Sequence, residues 1–131
     1  MKKLLMVTHS AGFKHSYLPV ATEVITELGE RSGKFRVTAT TECNLLSKEG
    51  LKKFDALLFG TTGDLPISDK DRDDLMAAIL DGKPFIGIHN ATDTYHNYAE
   101  YTQMIGGTFM GHPWSQEVQV KVEDQSHPST R

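Results

Sequence analysis

At 131 residues the chain reads as a single domain, 1–131, long enough for one buried core. Apolar residues make up 38% and charged residues 24%, which excludes a disordered or low-complexity chain. A formal net charge of −3 with scattered lysines and arginines leaves no footprint for nucleic acid, and the lone Cys43 excludes an internal disulfide and points to a reducing compartment.

The start, Met1 to Val7, has the basic opening of a signal peptide, but its apolar run stops after four residues at Thr8-His9-Ser10. That is too short for a signal core or a membrane span, so Leu4 to Val7 is read as a first strand and the protein as cytoplasmic. After the loop Thr8 to Ser16, a helix is expected over Tyr17 to Arg31, capped by Ser16, with Pro19 in its first turn. Val20, Val24, Ile25 and Leu28 recur at helical spacing as its apolar face. Phe35 to Ala39 alternates as a second strand, and Ser47 opens a short helix to Lys53.

Ala56 to Phe59 is an apolar third strand that runs into the loop Gly60 to Pro66. Ser68 caps the next helix, which has acidic residues in its first turn, ends at Asp81-Gly82 and is expected to bury Leu75, Met76, Ile79 and Leu80. Pro84 to Ile88 has the length and composition of a strand buried on both faces. It stops at the polar cluster His89 to Asp93. Gly87 and Ala91 flank His89 at minus two and plus two, the spacing of a strand-to-helix elbow that lifts its central side chain into a crevice. A helix over Tyr98 to Ile105 is stopped by Gly106-Gly107, Thr108 to Pro113 is irregular, and Glu117 to Val122 alternates strictly, as an edge strand would.

Strand and helix in regular succession give an α/β fold: a flavodoxin-like three-layer αβα sandwich around a mostly parallel sheet of order 2-1-3-4-5. Ligands bind such sheets at the carboxyl ends of the strands, where strand order reverses. Three polar loops are expected to meet there, carrying His9 and His15, then Thr61, Thr62 and Asp64, then His89, Asn90, Thr92 and Asp93.

Five of the six histidines, His9, His15, His89, His96 and His112, fall in loops at or near this edge. Imidazoles from separate loops can ligate a divalent metal such as Zn²⁺, with His15, His89 and His112 as the set and Asp64 or Asp93 as further donors. They can equally serve as acid and base to a substrate. The plainer alternative, loop residues making capping bonds, is adopted for His96 and His127. No tight metal-ligand spacing such as H-E-x-x-H is present, and no G-x-G-x-x-G or Walker pattern, the latter arguing against dinucleotide or P-loop phosphate binding. Cys43 lies away from the switch point and lacks elbow neighbours. Phe13, Tyr95, Tyr98, Phe109 and Trp114 sit in or beside the same loops, where aromatic faces can stack on a sugar or simply pack.

Four motifs in order resemble the ThuA-like, trehalose-utilisation family: Ala11-Gly12-Phe13-Lys14-His15, Thr61-Thr62-Gly63-Asp64, Gly87-Ile88-His89-Asn90-Ala91-Thr92-Asp93, and Gly106-Gly107-Thr108-Phe109-Met110-Gly111-His112-Pro113. The ending Val122-Glu123-Asp124 to His127-Pro128 adds to the match. The resemblance implies a class I glutamine amidotransferase-like fold in which His89 stands where those enzymes carry a nucleophilic cysteine. It also implies a role in bacterial sugar catabolism, on trehalose, a related disaccharide or a 3-keto sugar. His89, His15 and Asp93 are then the catalytic candidates, with His112 assisting. Asn90, Thr92, Thr61, Thr62, Asp64, Phe13 and Gly12 are the candidate substrate contacts. Family members usually continue beyond the His-Pro-Ser motif, so Arg131 ends either a natural short form or a fragment; an exposed sheet edge would favour pairing with another chain. The rival readings are a non-catalytic sugar-binding or regulatory domain, and an amidotransferase-like partner that would need a placed thiol.

Overall fold

The computed structural model describes residues 1–130. Its sheet has four parallel strands: β1 (Lys2–Val7), β2 (Phe35–Thr40), β3 (Ala56–Phe59) and β4 (Phe85–Gly87), in the order β2-β1-β3-β4. Leu4 of β1 lies opposite Val37 on one side and Ala56 on the other, and Leu57 of β3 lies opposite Phe85. Four helices connect or follow the strands: α1 (Leu18–Ser32), α2 (Lys48–Leu51), α3 (Asp69–Leu80) and α4 (Ala99–Ile105).

Side-chain alternation along β1 divides the core in two. Leu5 and Val7, with Leu57 and Phe59 of β3, face a cluster containing Leu46, Leu51, Leu75, Met76 and Tyr101, so α2, α3 and α4 cover that face. Leu4, Met6 and Leu58 face the opposite way, against Ala21 and Ile25 of α1. An apolar run covered on both faces needs this three-layer arrangement, and the chain has the α/β, flavodoxin-like layout. The strand order reverses between β1 and β3.

Capping follows the sequence at two helices. The Ser47 and Ser68 hydroxyls accept from the backbone N–H of Gly50 and Asp71 at the starts of α2 and α3. At α1 it does not: Tyr17, not Ser16, is the residue before the first turn, and it makes no side-chain cap bond. The buried stripe of α1 also differs from the expected one. Val20, Val24 and Leu28 are exposed, while Leu18 and Gly29 are buried, with Ala21 and Ile25 packed on the sheet. The reason is close approach. A Cβ on Gly29 would lie 2.7 Å from the Phe35 carbonyl oxygen, so α1 turns the line Leu18, Ala21, Ile25 and Gly29 to the sheet, with glycine where the two backbones come closest.

Further corrections concern α3 and the far side of the sheet. Leu80, the last residue of α3, is 83% exposed, because the apolar stripe ends with Leu75, Met76 and Ile79. The fourth strand is three residues long, and Ile86 is 45% exposed rather than buried on both faces. Among the described residues β4 is an edge strand, and Ile86 is not among the side chains packed with Leu58 against α1. Glu117 to Val122 has no strand structure, and its valines are exposed. Alternation makes a segment suited to a sheet, but a strand exists only with a partner. Among the described residues, no helix is long and apolar enough to cross a membrane.

Candidate functional site

The three loops beyond the carboxyl ends of β1, β3 and β4 are joined by backbone hydrogen bonds that continue the sheet's ladder. Thr62 N–H donates to the His9 carbonyl at 3.2 Å and Ala11 N–H to the Thr62 carbonyl at 2.9 Å. On the other side, Gly63 N–H donates to the Asp93 carbonyl at 2.7 Å. Gly63 has φ +71, and a Cβ there would lie 2.9 Å from the Gly12 nitrogen, so glycine is the residue this junction accepts.

His89 follows β4 at an elbow and has φ 41, a region that non-glycine residues seldom occupy. The chain then enters a short 3₁₀ turn, His89–Asp93, instead of an α-helix. The small neighbours have a measurable purpose: a Cβ on Gly87 would lie 3.1 Å from both Ala91 Cβ and Ile105 Cδ1. Tyr101 of α4 fixes the turn from below by donating from its hydroxyl to the Ala91 carbonyl at 2.9 Å. Backbone held away from its preferred region marks a place where surrounding packing enforces a side-chain direction.

That direction is into a cavity of about 510 Å³ lined by Phe13, His15, His89, Asn90, Thr92, Asp93, Phe109 and His112. His15 and His89 meet edge to face, ring centroids 4.7 Å apart. Phe13 stands against His15 at 4.9 Å, and Phe109 against His112 at 4.8 Å on the other wall. The Phe109 N–H donates to the Thr92 carbonyl at 2.9 Å, tying the loop that carries His112 to the elbow.

The remaining candidates either lie outside the cavity wall or, like Asn90 and Asp93, line it with their polar groups already engaged. Thr61 and Thr62 are fully buried behind the cavity: the Thr61 hydroxyl is bonded to that of Thr94 at 2.7 Å, and the Thr62 hydroxyl donates to the Phe13 carbonyl at 3.0 Å. They bind loop to loop instead of donating to a ligand. Gly12 packs on Thr62, Asp64 is exposed, and neither lines the cavity. Asn90 does line it, but it is buried and its amide donates to the Thr61 carbonyl at 3.1 Å. Asp93 is engaged by His96, whose Nε2 lies 2.7 Å from its carboxylate, so it does not orient His89. His9 turns toward β2 and donates from Nδ1 to the Thr41 carbonyl at 2.9 Å.

The donor set does not fit a metal. Among the described residues no three or more His, Cys, Asp or Glu side chains are grouped to hold an ion. His15 and His89 pack ring against ring, and His112 packs against Phe109 instead of joining them. Cys43 is buried in the core opposite α1, and burial, with Glu42 adding to it, pushes its thiol up to about 11. A thiol so placed is not an activated nucleophile.

Tyr17 is the site residue that sequence patterns did not single out. Its ring lies 5.2 Å from His89 and 5.8 Å from His15, and its hydroxyl donates to Asn90 Oδ1. Periodicity assigned it to the start of a helix, and the His15-x-Tyr17 spacing was its one visible signal. Thr94, the hydroxyl partner of Thr61, was equally silent.

A larger hollow of about 700 Å³ lies among α2, α3 and the start of β4, with Lys48, Asp55, Asp74 and Lys83 among its walls. Three of its charged groups have partners: Asp74 with Lys70, Asp55 with Lys2, and Lys83 with the Phe54 carbonyl. It contains no imidazole.

No curated protein matches the chain. Among solved structures it is similar to a ThuA-like protein from Bacteroides uniformis, with a TM-score of 0.77 and 24% sequence identity. The likeness covers 98% of this chain and 54% of that one, so the chain spans about half the length of its structural neighbour. The family model described as ThuA, trehalose utilisation, matches residues 3–131, and the chain belongs to that family.

Proposed function

We propose that the cavity takes up a neutral sugar, trehalose or a related disaccharide or its 3-keto derivative, and that His89 exchanges a proton with it. The observation that carries this reading is the elbow: a histidine at φ 41, its imidazole beside His15 at the cavity wall. A volume of about 510 Å³ lies within the usual range for small-ligand sites, and Phe13 and Phe109 offer apolar faces for a pyranose ring. Imidazole is the side chain suited to giving and taking protons near neutral pH. His15 stands next to it as the second acid–base group. Thr92 supplies hydrogen bonds, and His112 closes the far wall.

His89→Ala tests this directly. Loss of one general acid–base group lowers turnover on the order of 10²–10⁴-fold. Unchanged turnover of trehalose and 3-keto-trehalose in that variant would remove the reading.

One observation favours a sugar-binding domain without chemistry. A catalytic imidazole is commonly oriented by a carboxylate, and Asp93 is engaged by His96 instead. Calorimetry with trehalose alongside a product assay separates the two, since binding without turnover selects the second.

A further inference from the structure

We propose that Tyr17 is the positioning residue for His89, its ring and its hydroxyl together holding the imidazole toward the cavity. This rests on the reading of His89 as the working group, but it concerns how that group is held and not what it acts on.

A loop imidazole is normally oriented by an acceptor on one ring nitrogen. Among the described residues, the imidazoles that hydrogen-bond to protein groups are those of His9, His96 and His127. His89 is not one of them. It is gripped by aromatic edges: Tyr17 at 5.2 Å with planes at 87°, and His15 at 4.7 Å with planes at 85°. Tyr17 and His15 also touch, at 5.8 Å and 62°, so the three rings brace one another. Edge-to-face contact is directional, and it can set a ring plane where no hydrogen bond does.

The hydroxyl acts on the backbone side. It donates to Oδ1 of Asn90, the residue after His89, and Asn90 Nδ2 donates onward to the Thr61 carbonyl at 3.1 Å. This chain runs from the start of α1 through the elbow to the loop after β3. It holds the unfavourable φ of 41 at His89 from the side opposite α4. Burial raises the Tyr17 hydroxyl above its usual pKa, against the lowering influence of the Asn90 contact, so it remains protonated and donating at neutral pH. Tyr17 does not line the cavity, which is why its role is positioning and not contact with substrate.

Tyr17→Phe removes the hydroxyl and keeps the ring, whereas Tyr17→Leu removes both. The readout is the ¹H–¹³C spectrum of the imidazoles in the full chain, with His89 assigned through His89→Gln and Tm recorded for each variant. In Tyr17→Leu the ring-current displacement of the His89 protons is expected to collapse while His9 and His127 signals stay in place. In Tyr17→Phe the His89 signals are expected to broaden or double as the elbow samples a second conformation. His89 signals unchanged in both variants would overturn the proposal. So would changes reproduced by a core variant of matched Tm, such as Leu75→Ala. A change in Tyr17→Leu alone would overturn the hydroxyl's part and leave the ring's. These signals report ring orientation whether or not a sugar is turned over, so failure of the sugar reading leaves the result legible.

Discussion

At the residue scale, the elbow makes a claim about stability as well as chemistry. A Cβ in left-handed backbone costs roughly 1–2 kcal/mol, a cost glycine does not carry. His89→Ala and His89→Gly both lose the imidazole and its contacts with Tyr17 and His15. The glycine variant should therefore be the more stable of the two by about 1 kcal/mol in urea unfolding, the reverse of their order in ordinary strand or helix positions. Equal stabilities would mean that the backbone at 89 is relaxed. Cys43 supplies a second check. With the thiol pushed from 9.0 up to about 11, its thiolate fraction near pH 8 falls on the order of 100-fold. Iodoacetamide should label Cys43 slowly in the native protein and rapidly in urea. Rapid native labelling would show a thiol far more available than the core position implies. The elbow was legible in the sequence because Gly87 and Ala91 are small at fixed offsets from His89. The engagement of Asp93 by His96, three residues away, was not, because local spacing does not say which of two nearby imidazoles a carboxylate will meet.

At the element scale, periodicity locates helices better than it locates their buried faces. Val20, Val24 and Leu28 recur every four residues, yet α1 presents them to solvent and buries Leu18 and Gly29. Hydropathy rewards large apolar side chains and passes over Gly29, the position where α1 comes closest to the sheet. The steric requirement at Gly29 comes from Phe35, an element that periodicity within α1 cannot register. The same contrast gives a prediction for α3. Leu75 is fully buried and Leu80 is 83% exposed, although both are leucines on one helix. Leu75→Ala should cost about 2–5 kcal/mol and Leu80→Ala no more than about 0.5 kcal/mol, measured by urea unfolding. Comparable losses would contradict the packing described for α3. Serine caps were readable at Ser47 and Ser68 because the signal is local, an oxygen within reach of an N–H three residues on.

At the scale of the whole molecule, the order β2-β1-β3-β4 reverses between β1 and β3, and in such sheets ligands bind at the carboxyl ends of the strands beside the reversal. That made the convergence of the loops after β1, β3 and β4 deducible before any coordinates. Which of their side chains reach the cavity was not deducible. Thr61 and Thr62 look like ligand donors in one dimension, but the bridging that joins the loops turns them inward, onto Thr94 and Phe13. The fifth strand failed for a related reason: Glu117 to Val122 carries the right alternation, and β4 keeps an unpaired edge among the described residues.

The account depends on sugar binding at the imidazole cavity and not at the larger charged hollow among α2, α3 and β4. Amide and imidazole chemical-shift mapping with trehalose and 3-keto-trehalose tests this most directly. The expected result is perturbation centred on Phe13, His15, His89, Thr92, Phe109 and His112. Perturbation centred on Lys48, Asp74 and Lys83, or none at saturating sugar, would contradict it.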